Sequence, residues 1–520
     1  MFSYTKPKFA HLLVAAVFLL SSCNEDLIST EPILDASTDP SGNISQFDMS
    51  EIQELTDFSN LRQGDFTGRY LIISKNNQLP SNLAQSVAAA GGEIVKTFPE
   101  IGVAVAVARS SDFYGKAGQI SEVESVTPDL ILKFTSEPEI VTQALSLDNA
   151  SARRSSGAGA PFEYKTAIFD GFQWAPESID APKAWDAGFT GEGVRVAVID
   201  GGFHAAHIDL APNIDVASSI STVPGFRFNE DTGEFWHGTH VAGIVAASGF
   251  GVVGIAPKAT IIGVKSLHNG SGAFEWILEG ILYAATPQSK GGGGAQIINM
   301  SLGATINYRD NWQDPAFRVF FRELQKTYDR ATRYAYQNGV TVIASAGNGA
   351  TNFDEAKELY KIPAHNQHVL SISSTGPTGW VFGNTNFDQP AYYTDYGKSL
   401  VSFAAPGGTV GLAIVEGNFS PCTLVGTFRS TTATCAIFDQ VFSTVRGTSD
   451  GNYNWAQGTS MASPAFAGVA ALLMQANGGH LSPAQVNSRL RQSATDLGKP
   501  GNDEYYGQGF VNAAKAVGLK

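Results

Sequence analysis

Hydrophobic and polar positions change texture several times along this chain. An unbroken apolar run, LLVAAVFLL, occupies residues 12–20, and residues 24 to about 66 are polar and acidic, a composition that cannot bury a core. From Gly68 the apolar positions group at the lengths of regular elements. RYLIIS predicts a strand, NLAQSVAAAG a helix stopped by glycine, GEIVKTF and GVAVAVA a strand pair, SSDFYGKAGQ a short helix and VESVTPD a closing strand. This βαββαβ order is that of a ferredoxin-like unit. The small-residue run QALSLDNASARRSSGAGAP then predicts an exposed linker within about 136–172, with Arg153 and Arg154 open to proteolytic nicking.

Beyond Trp174 the apolar runs become continuous and β-branched: VRVAVID, ATIIGVKS, AQIINMS, GVTVIASAG and HVLSISS, separated by helix-like stretches. Strands buried on both faces read this way. The prediction is an α/β fold of three layers with a mostly parallel sheet, whose reactive residues gather at the carboxyl ends of the strands. The aromatic spacing of AFRVFFRELQKTYDRATRYAYQNG marks a core-facing helix. WAQGTSMASPAFAGVAALLMQ predicts a buried helix from Met461, with Pro464 confined to its first turn and Ser460 at its N-terminus.

Composition narrows the classes of function. The 520 residues are 43% hydrophobic and 16% charged, enough for a large core and more than one domain. A net charge of −14 without any basic block excludes a nucleic-acid binder. Lys6 and Lys8 precede the run at 12–20, which is short for a membrane span and reads as an export signal. Leu20, Ser21, Ser22 and Cys23 resemble a bacterial lipobox, in which Cys23 is lipidated and becomes the mature N-terminus. The expectation is an exported protein held by lipid in a bacterial membrane, on its periplasmic or cell-surface face. Cys422 and Cys435 then remain in one short segment, where export permits a local disulfide; two buried thiols are the alternative.

Four positions carry candidate chemistry. Asp200 ends VRVAVID, His237 opens the helix-like HGTHVAGIVAA, Asn348 follows the strand TVIASAG, and Ser460 precedes the Ala-rich helix. Taken singly, each has an ordinary role: a turn former, a satisfied histidine, a loop asparagine and a helix cap. Together they fill every role of nucleophilic acyl transfer. A serine hydroxyl needs a base, which His237 can be near neutrality, and the imidazole needs a carboxylate to fix its tautomer. The Asn348 amide and the Ser460 N–H can meet the developing oxyanion.

The motifs VAVIDGG, HGTHVAG, SAGN and GTSMASP, in the order Asp, His, Ser, resemble the subtilisin-like serine proteases. IDAPKAWDAGFTGEGVRVAVID, VGIAPKATIIGVK, INMSLG, VSFAAPG and YGQGFVNAAKAV extend the resemblance over nearly all of residues 174–520. It implies Asp200, His237 and Ser460 as the triad, Asn348 as the oxyanion donor, and an activity as a serine endopeptidase made as a zymogen. It also implies an edge strand at Ser301, Leu302 and Gly303 that pairs with extended peptides, with Ala346 and Gly347 joining them in substrate binding. The implied organisation is a signal at 1–22, a tether at 23–66, an inhibitor-like propeptide at 67–135, a processing region at 136–172 and a peptidase domain at 173–520. The implied partners are a peptide or protein substrate and the chain's own propeptide.

Some features depart from the pattern or compete with it. Gly201 stands where the family usually has a small hydroxyl residue, and the segments after Gly303 and between Gly408 and Trp455 are enlarged. By position, Lys361 in LYKIPAH falls near the base of the main specificity pocket, which would favour an acidic residue before the scissile bond. No cofactor is implied for the chemistry; structural calcium is frequent in the family, but no compact loop of oxygen ligands marks a site. His204, His207 and Asp209, or His237 with His240, can be read as metal ligands of a metal-dependent hydrolase, although HIDL and HGTH resemble the family's structural and catalytic segments. The other alternative is an inactive peptide-binding protein of the same fold.

Overall fold

The computed structural model describes residues 65–134, 144–147, 163–230, 237–309, 312–313 and 315–520. The export signal, Cys23, nearly all of the tether and most of the 136–172 region lie outside them.

The strands Phe66–Ser74, Gly92–Phe98, Val103–Ala108 and Val123–Lys133 form an antiparallel sheet, with Phe66–Ser74 central between Val103–Ala108 and Val123–Lys133. Strand side chains alternate between faces, so each face has its own partner. Tyr70, Ile72, Ala104 and Ala106 pack with Leu83, Val87, Phe113 and Ala117 from the unit's two short helices. Leu71, Ile73, Val103 and Val105 turn the other way and share a core with Phe274, Leu278, Phe320 and Leu324 from later in the chain. The closing strand runs further than VESVTPD predicts. Its end pairs antiparallel with Ser271–Ala273, aligning Ile131 with Ala273 and Leu132 with Gly272.

The larger sheet has seven strands, ordered Phe403–Pro406, Val369–Thr375, Thr341–Ser345, Ile297–Met300, Arg195–Asp200, Thr260–Lys265 and Ile220–Ser221. Each neighbouring pair is parallel. Alternation again sorts the layers. Val196, Val198, Ile297 and Ile343 face the helices His237–Ala246 and Thr459–Ala476, while Ala197, Ile199, Ile298 and Val342 face Phe274–Ala285 and Pro315–Gln337. This is the three-layer α/β fold that the continuous apolar runs predict.

Three expectations are corrected. The exposed linker is narrower than 136–172: Leu145–Ser146 pairs with Asn452–Tyr453, and Leu147, Phe169 and Phe172 are buried. The Ser460 helix begins at Thr459, before Met461. Pro464 therefore lies past the first turn, inside the helix. In the enlarged segment, Cys422 and Cys435 are joined by a disulfide beside the hairpin of Pro421–Val425 and Ser430–Thr434.

The two sheets meet through buried charge. Asp129, with no exposure, accepts the Glu275 N–H at the start of the Phe274–Ala285 helix (3.1 Å) and the Thr67 hydroxyl (2.9 Å). Arg69 holds the buried Glu275 carboxylate through both oxygens (2.8 Å each), Lys96 bridges Glu275 and Glu279, and Arg330 reaches Glu124, Ser74 O and Ile101 O. Burial, and then the neighbouring Glu275 carboxylate, push Asp129 up to about 7. A carboxyl raised by docking takes up a proton there. Its contribution is fully present below the ordinary carboxylate range and is lost as pH rises through about 7. Asp129→Asn, made in a Ser460→Ala background to prevent self-digestion, should therefore raise the thermal unfolding midpoint relative to its parent at pH 8.5, with the difference vanishing near pH 4.

Candidate active site

Three adjacent strands end on one edge of the parallel sheet, and the candidate residues lie there. Asp200 is the last residue of its strand, Ser301 follows Ile297–Met300, and Asn348 lies just beyond Thr341–Ser345. The other two residues arrive from helix starts. His237 is the first residue of His237–Ala246 and Ser460 the second of Thr459–Ala476, and these helices pack against each other.

His237 Nδ1 lies 2.9 Å from both carboxylate oxygens of Asp200. Asp200 is fully buried, and its Oδ1 also accepts the Gly201 N–H at 2.7 Å. The Gly201 departure thus leaves a backbone donor on the carboxylate and the imidazole in place. Gly238 explains how the helix comes so near: a Cβ there would lie 2.4 Å from Gly202 O and 3.1 Å from Asp200 Cβ. An imidazole held at Nδ1 by a buried carboxylate can accept a proton at Nε2 and carry the charge that results.

Ser460 is fastened by an unusual repair. Pro464 has no N–H, so the Ser460 carbonyl loses the bond that a helix would give it. Ser301 Oγ supplies the replacement at 2.8 Å and is itself bonded by Asn299 Nδ2 at 2.9 Å. Ser460 Oγ donates to Ser301 O at 3.2 Å. Asn348 is oriented by the neighbouring Thr459: its Oδ1 accepts the Thr459 N–H (3.0 Å) and hydroxyl (2.8 Å). Its Nδ2 is thereby turned towards Gly458. A Cβ built on Gly458 would lie 3.4 Å from Asn348 Nδ2 and 3.5 Å from Ser460 N, so the two donors border one small space. Gly458 has φ +151 and ψ 157, a region that only glycine occupies without strain.

A peptide segment already lies beside this site. Phe134 donates its N–H to Gly270 O and accepts the Gly303 N–H, both at 2.8 Å, so one residue is held between two walls. Leu302 and Ala346 are buried, and Gly347 N donates to Thr459 Oγ1 at 3.0 Å. The sequence does not announce Phe134 or Thr459 as part of the site. Thr459 is adjacent to the serine within GTS, but only the fold shows what its hydroxyl meets.

Residues 191–509 match the subtilase family, peptidase S8. The chain belongs to the subtilase family. It is 32% identical over 409 residues to alkaline elastase YaB of Bacillus sp. (strain YaB), covering 76% of this chain and 84% of that protein. It is 30% identical to thermitase of Thermoactinomyces vulgaris over 357 residues, covering 67% and 97%. Among solved structures, the epidermin leader peptide processing serine protease of Staphylococcus aureus superposes with a TM-score of 0.64 at 19% identity, covering 86% of this chain and 97% of that one. Subtilases are serine endopeptidases, and this chain is one.

In the subtilase, Lys361 does lie between Gly303 and Gly347, where added Cβ atoms would meet its side chain at 3.1 and 2.3 Å. Its ammonium, however, is paired with the buried Asp395 at 3.3 Å and bonds Thr305 Oγ1 at 3.0 Å. A charge already neutralised does not favour an acidic residue, so that expectation loses its physical basis. The metal reading fares similarly. Both Asp209 oxygens take backbone N–H groups of Phe250, Gly251 and Val252, and His207 and His240 bond the carbonyls of Asn452 and Asn454. Among the described residues no group of three or more His, Cys, Asp or Glu side chains could hold a metal ion.

If Asn348 acts on the transition state and not on the bound substrate, Asn348→Ala should lower kcat by roughly two to three orders of magnitude with little change in KM. Steady-state kinetics on a chromogenic peptide would check this, and a KM effect alone would contradict it.

Proposed function

We propose that this subtilase is made as a zymogen and cleaves peptide bonds through an acyl-enzyme on Ser460. His237 Nε2 takes the proton as Ser460 Oγ bonds to the carbonyl carbon, and returns it to the leaving amine as the C–N bond breaks. A water then repeats the sequence and releases the acid. Asp200 keeps the proton of His237 on Nδ1 and stabilises the imidazolium, while Asn348 Nδ2 and the Ser460 N–H receive the oxyanion. The observation that carries this reading is the buried Asp200–His237 pair at the strand edge. The presence of Asp200, His237 and Ser460 together in the chain argues against the inactive-module alternative.

Residues 67–135 act as the propeptide in this reading. Support comes from the shared core with the peptidase helices and from Phe134, whose backbone lies between Gly270 and Gly303 as a substrate strand would. Cleavage then falls within 136–172. The resemblance at Leu20 to Cys23 supports lipidation of Cys23, with 24–66 as the spacer that carries the enzyme clear of the membrane.

Labelling with a serine-directed phosphonate should give one adduct on Ser460, absent from Ser460→Ala, by intact mass. The same variant should accumulate as unprocessed chain. No adduct on folded, processed wild type would instead favour the inactive peptide binder, and full processing of purified Ser460→Ala would refute self-cleavage. For the anchor, Cys23→Ala should move the protein out of the membrane fraction; membrane retention with an unchanged N-terminus would exclude lipidation.

A further inference from the structure

Lys265 is a buried ammonium that the reaction scheme does not use. It ends the strand Thr260–Lys265, is 1% exposed, and is the register partner of Asp200 in the adjacent strand. Stripping an ammonium of water costs several kcal/mol unless hydrogen bonds and opposite charge compensate. Hydrogen bonds and an aromatic face meet that cost here: its Nζ donates to Gly201 O and, at 2.8 Å, to Leu267 O, and lies 5.7 Å from the centroid of the Phe226 ring.

The two carbonyls it joins are not arbitrary. Gly201 is the residue whose N–H lies on Asp200 Oδ1, and Leu267 is the residue whose N–H, with that of Ser266, lies on Asp200 O. Asp200 is therefore enclosed by backbone on both sides, and Lys265 ties those two stretches together. The turn needs such a tie. Gly201 and Gly202 follow Asp200 directly, and this glycine pair has neither Cβ atoms to pack nor a side-chain hydroxyl to hold the carboxylate.

We propose that Lys265 is a positioning residue for the reaction: through Gly201 O and Leu267 O it fixes the Asp200 carboxylate against His237. The proposal rests on the acyl-transfer reading above, and it adds a role that the three reacting side chains do not supply.

The test compares full-length wild type, Lys265→Met and Lys265→Arg after self-processing, with kcat expressed per site titrated by the phosphonate. Lys265→Met should lower kcat per titrated site on the order of 10- to 100-fold, with KM within about two-fold, because the ground-state substrate contacts are untouched. Lys265→Arg, which keeps the charge and several donors, should recover most of the loss. A lysine with a merely structural role would lower the unfolding midpoint and the number of titratable sites while leaving kcat per site unchanged, and that result would overturn the proposal. If Lys265→Met does not fold, Lys265→Gln takes its place, since its amide reaches only one carbonyl; wild-type kcat per site in that variant would equally overturn it. Wild type that neither labels nor hydrolyses would count against the acyl-transfer reading and not against the placement of Lys265.

Discussion

The buried carboxylate of Asp200 is the fixed point around which this structure is arranged. A charge with no exposure must be met by donors, and the fold meets it with the Gly201 N–H on one oxygen and the His237 imidazole across both. The imidazole reaches it only because Gly238 lacks a Cβ, and the strand delivers it only because the sheet is parallel, so that neighbouring strands end on one edge. The small residues of HGTHVAG and the β-branched run of VRVAVID serve packing and chemistry at once. Few residues in this region are free to change for one purpose without affecting the other.

Much of this was legible in the sequence, for physical reasons. Continuous runs such as VRVAVID and AQIINMS can be satisfied only by strands covered on both faces, and the alternation of Val196 and Val198 against Ala197 and Ile199 delivers the two layers. The positions of Asp200, His237, Asn348 and Ser460 followed from motifs at strand and helix ends. What was not legible depends on contacts between residues distant in the chain. The pairing of Lys361 with Asp395 could not be read from the sequence, because the two residues lie in different loops. The 136–172 region looked uniformly loose in composition, yet Phe169 and Phe172 are core residues, since an aromatic pair within a Gly-rich stretch can still be buried by a remote hairpin.

The association of the two sheets follows a different logic from the interior of either. One face of the antiparallel sheet is apolar and shares a core with the peptidase helices, while the boundary of that core is lined with charge: Asp129, Glu275, Arg69, Lys96, Glu124 and Arg330. Apolar burial supplies attraction without direction. The charged boundary supplies register, since each of these groups has a partner in only one docked arrangement, and it makes the attachment sensitive to conditions that an apolar core would not sense.

Pro464 has a mechanical consequence. By removing one bond from within the helix it transfers custody of the Ser460 peptide to the end of the strand Ile297–Met300, through Ser301. Thr459, next in line, is likewise latched to Asn348 beyond the adjacent strand. Ser460 therefore takes the parallel sheet as its reference frame, although it belongs to a helix by sequence. Breathing of the helix start is damped at Ser460, and any slip of the central strands is transmitted to it directly, so the alignment of the site is as stable as the most deeply hydrogen-bonded layer of the fold.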